Sequence, residues 1–221
     1  MIPNNLAQHL LDRRLAYVKR WHQKPDQGFP ESMAEHSGWV ARLSLYLALS
    51  YEIGREVGMD GIDWRRLLAV AVCHDDAEQL TGDMPGSFKK LVPEAAEQLH
   101  QWEASMLPLL YGGMGSVTNF LHAETRAYVL SETRKPPPLE HEVVKLADRT
   151  TALAYANSQV LMGNELFLDI LRDVADEVLE KVSAYWDRWL RFADSENTIG
   201  KAAAAIRAGL PRFNHPGLLT T

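Results

Sequence analysis

ELFLDILRDVADEVLEKVSAYWDRWLRFA, residues 165–193, decides the fold class. Phe167, Ile170, Leu171, Val174, Val178, Val182, Tyr185 and Trp189 recur every three or four residues, the period of a helix with one apolar face. Working back toward the N-terminus, Gly163 closes a second long helix that runs from about Glu140 to Met162. Pro136-Pro137-Pro138 ahead of it cannot continue a helix, because proline lacks the N–H donor and clashes with the preceding turn. Helical patterns also cover 94–110, 117–134 and Trp64 to about Leu80, the last ended by Thr81-Gly82. Gly58, Gly61 and Asp63 punctuate the turn before it. Ser32 and Glu35 have the spacing of a capping box and open a helix with Val40, Leu43 and Leu47 on one face. Leu11, Leu15 and Val18 predict a first helix to about Trp21. Strand-like alternation is nearly absent, so an all-α helical bundle is expected. Residues 1–193 form the predicted domain, and 194–221, with a short Ala-rich helix at 201–208, form a peripheral C-terminal arm.

The 221 residues are 46% hydrophobic and 24% charged, the composition of a soluble globular protein. A net charge of −6 argues against the broad basic field that holds long nucleic acid, while leaving room for a small anionic substrate. The single cysteine, Cys73, excludes a disulfide within the chain and points to a reducing, cytoplasmic setting. Neither a signal peptide nor a membrane-spanning stretch is legible.

Chemistry is carried by polar residues on apolar helix faces. His36 leads the set Val40, Leu43, Leu47; His74 follows Leu67 and Val70; Asp75 follows Leu68 and Ala71; Asp148 shares a face with Val144, Thr151 and Tyr155. A carboxylate buried alone costs several kcal/mol, on the order of what relaxation leaves of its desolvation. Two imidazoles and two carboxylates pointing inward share a natural remedy, one divalent cation. Taken singly, each has an ordinary alternative: a hydrogen-bonded core histidine, or Asp148 paired with Arg149 or Lys145. Cys73 precedes His74 on a diverging face and reads as a core residue. His100, His122 and His141 fall between Asp75 and Asp148 without the pattern of a second metal site, although His141 stands seven residues from Asp148.

The order His36 … His74-Asp75 … Asp148 resembles the HD-domain superfamily. Arg20-Trp21, Ala34-Glu35-His36-Ser37, the run His74-Asp75-Asp76-Ala77-Glu78-Gln79-Leu80-Thr81-Gly82-Asp83-Met84-Pro85, Lys145-Leu146-Ala147-Asp148 and Gly163-Asn164-Glu165 are together similar to the YfbR-like 5′-deoxynucleotidases, over roughly residues 13–190. That resemblance implies an HD-domain bundle in which His36, His74, Asp75 and Asp148 hold one divalent cation. With four protein ligands, water and phosphate find room only on a five- or six-coordinate ion, which favours Co, Mn, Fe or Mg over a closed zinc site. The resemblance assigns the catalytic part to Glu78, acting beside the ligand Asp75; spacing puts Glu78 one turn beyond His74. It assigns Asp83 to the sugar hydroxyl and sets Trp21 against a 2′-hydroxyl. Arg20 is a phosphate clamp by its bidentate guanidinium, and Lys89 a further phosphate candidate. Gly86 stands where the family usually has threonine, which bears on nucleotide preference.

The expected activity is conversion of a deoxynucleoside 5′-monophosphate to deoxynucleoside and phosphate, by a homodimer whose interface the last helix could supply, the alternative being that its apolar face closes the monomer's own core. Alternatives are a deoxynucleoside triphosphate triphosphohydrolase, a non-catalytic nucleotide-binding module, and a di-iron oxygenase of the same fold.

Overall fold

The computed structural model describes residues 13–21, 25, 28, 30–82, 91–111, 115–130 and 137–210. Helices dominate: α1 (Met33–Gly54), α2 (Trp64–Cys73), the short α3 (Glu78–Thr81), α4 (Pro93–Tyr111), α5 (Gly115–Val129), α6 (Leu139–Leu161), α7 (Leu168–Tyr185) and α8 (Thr198–Gly209). A 3-10 turn, Glu165–Phe167, leads into α7, which continues through a π-type turn at Trp186–Leu190 to Arg191–Ala193. Among the described residues no helix is long and apolar enough to cross a membrane.

α6 is the central rod. It packs against α1, α2 and α7, and α8 lies across α7 with Ala203 fully buried. Val40, Leu47, Leu67, Val70, Val143, Val144, Leu146, Phe167, Leu171, Val178 and Trp189 form the main core. The apolar stripe from Phe167 to Trp189 therefore closes the chain's own core. A smaller core of Cys73, Ala77, Leu107, Leu110 and Tyr111 joins α2 to the α4–α5 pair.

Three expected helices end before their patterns do, α5 at Val129 where the pattern runs to 134. Among the described residues of the first expected helix, Arg13–Ala16 form a 3-10 turn. Beyond it the backbone pairs with the segment before α1: Arg20 donates to the Glu31 carbonyl (3.0 Å) and Met33 to that of Val18 (2.9 Å). This pairing takes the groups a helix would need, and Trp21 ends in the left-handed region at φ 57°. The helix from Trp64 stops at Cys73. His74–Ala77 form tighter turns with i to i+3 bonds, such as Glu78 N–H to the Asp75 carbonyl at 2.9 Å, before α3 resumes.

The capping box is present. Ser32 Oγ accepts from the Glu35 N–H (3.2 Å), and Glu35 Oε2 accepts from the Ser32 N–H (2.8 Å). This fixes the start of α1 one turn before His36. Ser32→Ala is expected to destabilise the fold by about 1 kcal/mol, read by urea denaturation. The Ser32 hydrogen bonds hold the Glu35 carboxyl below its ordinary 4.5. Its stabilising part is thus present above that pH and lost as pH falls through the lowered value.

Candidate metal centre

Three elements deliver the donors. His36 comes from the first turn of α1, His74 and Asp75 from the turn that ends α2, and Asp148 from the middle of α6. His36 is fully buried, and His74 and Asp148 nearly so. Asp75 is half-buried: Leu68, its neighbour on the face read from sequence, is itself exposed.

The ligating atoms of His36, His74 and Asp148 all lie within 4.8 Å of one another. Asp75 joins them, with Oδ2 at 3.1 Å from His74 Nε2 and 3.7 Å from His36 Nε2; Asp148 Oδ1 is 3.2 Å from His36 Nε2. Donors about 2.0–2.2 Å from a shared ion stand at most about 4.4 Å apart; these three separations fall inside that limit, with His36, His74 and Asp148 forming the group and Asp75 beside its two histidines. Atom chemistry gives the same answer. His74 Nδ1 faces the Ala71 carbonyl at 3.2 Å, which suits a donated N–H and turns the Nε2 lone pair toward the carboxylates. His74 Nε2 is buried without a hydrogen-bond partner. A lone pair facing an anion requires a positive charge between them, from a proton or a metal. The residues fit a divalent ion.

Electrostatics follow from the crowding. Burial opposes protonation of His74, but Asp75 beside it outweighs that and raises its pKa. Burial pushes the Asp75 carboxyl up, yet His74 and His36 hold it well below the carboxylate range. Burial likewise acts on Asp148, where Arg149 and His36 prevail and lower it. His36 is lowered, by burial first and Arg20 second. Part of the alternative pairing of Asp148 is present: Arg149 Nε is 3.8 Å from Oδ2 and 3.1 Å from Glu177 Oε2, and Lys145 also favours the carboxylate, while Oδ1 faces His36.

Around the donors, Glu78 is the first residue of α3, half-buried, and the 3-10 winding before it keeps it one turn from His74. Arg20 is buried, its guanidinium 5.2 Å from the centre of the Trp21 ring, and Trp21 meets Phe167 edge-on at 6.0 Å. Asp83, Gly86 and Lys89 lie outside the described residues. His141 is buried edge-on against Tyr128 at 5.5 Å.

Two contributors escaped the sequence reading. Tyr111 donates a hydrogen bond to Asp76 and so anchors the His74–Ala77 turn from α4. Glu31, a buried acid outside any helix face, reaches both Arg20 and His36. Periodicity is blind to a loop residue; the signal was an acid between Pro30 and the capping serine, where capping does not need it.

Comparison with known proteins adds a family and a fold. The family described as 5′-deoxynucleotidase YfbR-like matches residues 9–190. The chain is 28% identical to a 5′-deoxynucleotidase of Vibrio vulnificus over 154 residues, 70% of this chain and 75% of that one. It is also 28% identical to a 5′-deoxynucleotidase of Vibrio cholerae over 151 residues, 68% and 73% of the two chains. Among solved structures, the PH0347 protein of Pyrococcus horikoshii superposes with a TM-score of 0.62 at 26% identity, covering 89% of this chain and 98% of that one. An HD-domain phosphohydrolase of Listeria innocua shares the fold at a TM-score of 0.63 and 18% identity, covering 93% and 96%.

Proposed function

The chain belongs to the YfbR-like 5′-deoxynucleotidase family, and from that premise we propose that it hydrolyses deoxynucleoside 5′-monophosphates to deoxynucleoside and phosphate. What supports the reading most is the convergence of His36, His74, Asp75 and Asp148 beside a buried arginine and a half-buried glutamate. These four residues would hold one divalent cation. When bound, the ion supplies Lewis-acid polarisation of a phosphoryl oxygen.

The chain's own groups do the rest. Glu78 accepts the proton of the attacking water and passes it toward the leaving 5′-oxygen. Arg20 grips the phosphate by two parallel N–H donors. Trp21, fixed against Phe167, fills the space beside the sugar and disfavours a 2′-hydroxyl. Asp83 is assigned to the sugar hydroxyl, Lys89 to the phosphate. The donor set suits Co, Mn, Fe or Mg in five- or six-fold coordination. A homodimer in the cytoplasm belongs to the same reading; sedimentation at the mass of a single 24.9 kDa chain would remove the dimer.

The test is a panel of deoxyribo- and ribonucleotides with Co²⁺ or Mn²⁺ and product identification. Orthophosphate from deoxynucleoside monophosphates, with ribonucleotides poorer, is expected. Tripolyphosphate from triphosphates alone would assign a triphosphohydrolase instead.

Metal binding should also release a proton. The raised pKa keeps His74 protonated further into the neutral range than its ordinary 6.5. In the metal-free protein this stabilisation is full below that value and lost as pH rises through the raised one. His36, lowered, runs the other way and carries no proton to expel at neutral pH. Calorimetric Mn²⁺ titrations at pH 7 in buffers of different ionisation enthalpy should therefore show proton release. His74→Asn should abolish it along with tight binding.

A further inference from the structure

The Glu31 carboxylate lies between the two halves of the site. Its Oε2 is 4.0 Å from Arg20 Nη1 and 3.9 Å from His36 Nδ1, and all three side chains are buried. The backbone of the same residue is held as firmly. Its carbonyl accepts the Arg20 N–H at 3.0 Å, and its N–H donates to the Tyr155 hydroxyl on α6 at 3.4 Å. His36 presents Nε2 to Asp75 and Asp148 and turns Nδ1 toward Glu31. That Nδ1 is fully enclosed with no hydrogen-bond partner. An imidazole that ligates through one nitrogen characteristically donates from the other to a carboxylate, which fixes its tautomer and makes it a better ligand. Glu31 is the acid on that side, about 1 Å beyond hydrogen-bond range, a gap one side-chain adjustment closes.

We infer that Glu31 is a positioning residue that couples metal binding to phosphate binding: one carboxylate orients His36 through Nδ1 and holds Arg20 at the substrate edge. It touches neither ion nor substrate. A common partner for both groups ties the geometry of the cation pocket to that of the phosphate clamp. Preorganising a long arginine in this way reduces the entropy lost when it grips an anion.

The inference rests on the proposed phosphohydrolase reading for the role of Arg20, and its probes are chosen to work without turnover. Mn²⁺ is titrated calorimetrically into metal-free wild-type protein and Glu31→Gln, and inorganic phosphate into the Mn²⁺-saturated forms. Glu31→Asp, which keeps the charge and shortens the reach, is carried alongside, with thermal melting of each metal-free protein as the folding check. Glu31→Gln should weaken Mn²⁺ binding about 10–100-fold, the usual effect of losing such an outer partner. It should weaken phosphate several-fold as well, and Glu31→Asp should fall between. Mn²⁺ affinity within twofold of wild type overturns the inference, because His36 then needs no orientation. Unchanged or tighter phosphate binding overturns it too, since Glu31 would then merely neutralise Arg20. If Glu31→Gln does not fold, Glu31→Asp is read by the same two criteria. Inactivity of the wild type toward every nucleotide would sink the functional reading while leaving both titrations interpretable.

Discussion

Asp148→Asn is expected to abolish tight binding of divalent metal and to lower turnover at least about a thousandfold. The substitution keeps shape and volume on α6 and removes one negative charge from a cluster of buried donors. A neutral amide is a poorer ligand, and the ion's contribution to a phosphoryl transition state is several kcal/mol, where each 1.36 kcal/mol is about tenfold in rate. Stability separates this from misfolding. Arg149 retains Glu177 at 3.1 Å, so its charge stays paired when Asp148 is neutralised. The metal-free variant should therefore melt close to the metal-free wild type. Only the increment from added Mn²⁺ should vanish, about 2.7 kcal/mol at a hundredfold excess over Kd. A metal-free variant that fails to fold would mean that Asp148 is a structural partner of Arg149.

Glu78→Gln has the opposite signature. Turnover should fall about 10²–10⁴-fold, the range for loss of a general acid–base group, while Mn²⁺ affinity stays within a few-fold of wild type. The residue stands on α3, outside the donor set, and glutamine preserves its size. Equal loss of metal binding and turnover would make Glu78 a ligand. Undiminished turnover would move the proton transfer to another group. The two variants together separate holding the ion from moving the proton.

Much of this architecture is legible in the sequence. The stripe from Phe167 to Trp189 is buried as its period requires, α6 begins and ends within a few residues of its Pro and Gly signals, and α7 starts a few residues past Gly163. His36 and His74 are buried because they continue apolar faces, and that regularity is what periodicity reports. The misses share a cause. Residues 18–21 carry a helical pattern but pair with 31–33, a tertiary contact that no local pattern contains. The turn at His74–Ala77 departs from α-geometry, so a helical wheel overstated the burial of Asp75. Glu31 sits in a loop, where neither period nor cap points to it. Of the residues proposed to bind substrate, Arg20 and Trp21 rest on family resemblance and not on burial. The dimer expected through the last helix had the same apolar stripe as its basis, and that stripe is spent on the chain's own core.

The most direct measurement is a crystal structure of Mn²⁺-soaked protein with anomalous scattering recorded at the manganese edge. One peak per chain, within ligand distance of His36, His74, Asp75 and Asp148, is the predicted result. Two peaks in this cluster, a peak elsewhere, or none at saturating Mn²⁺ would contradict it.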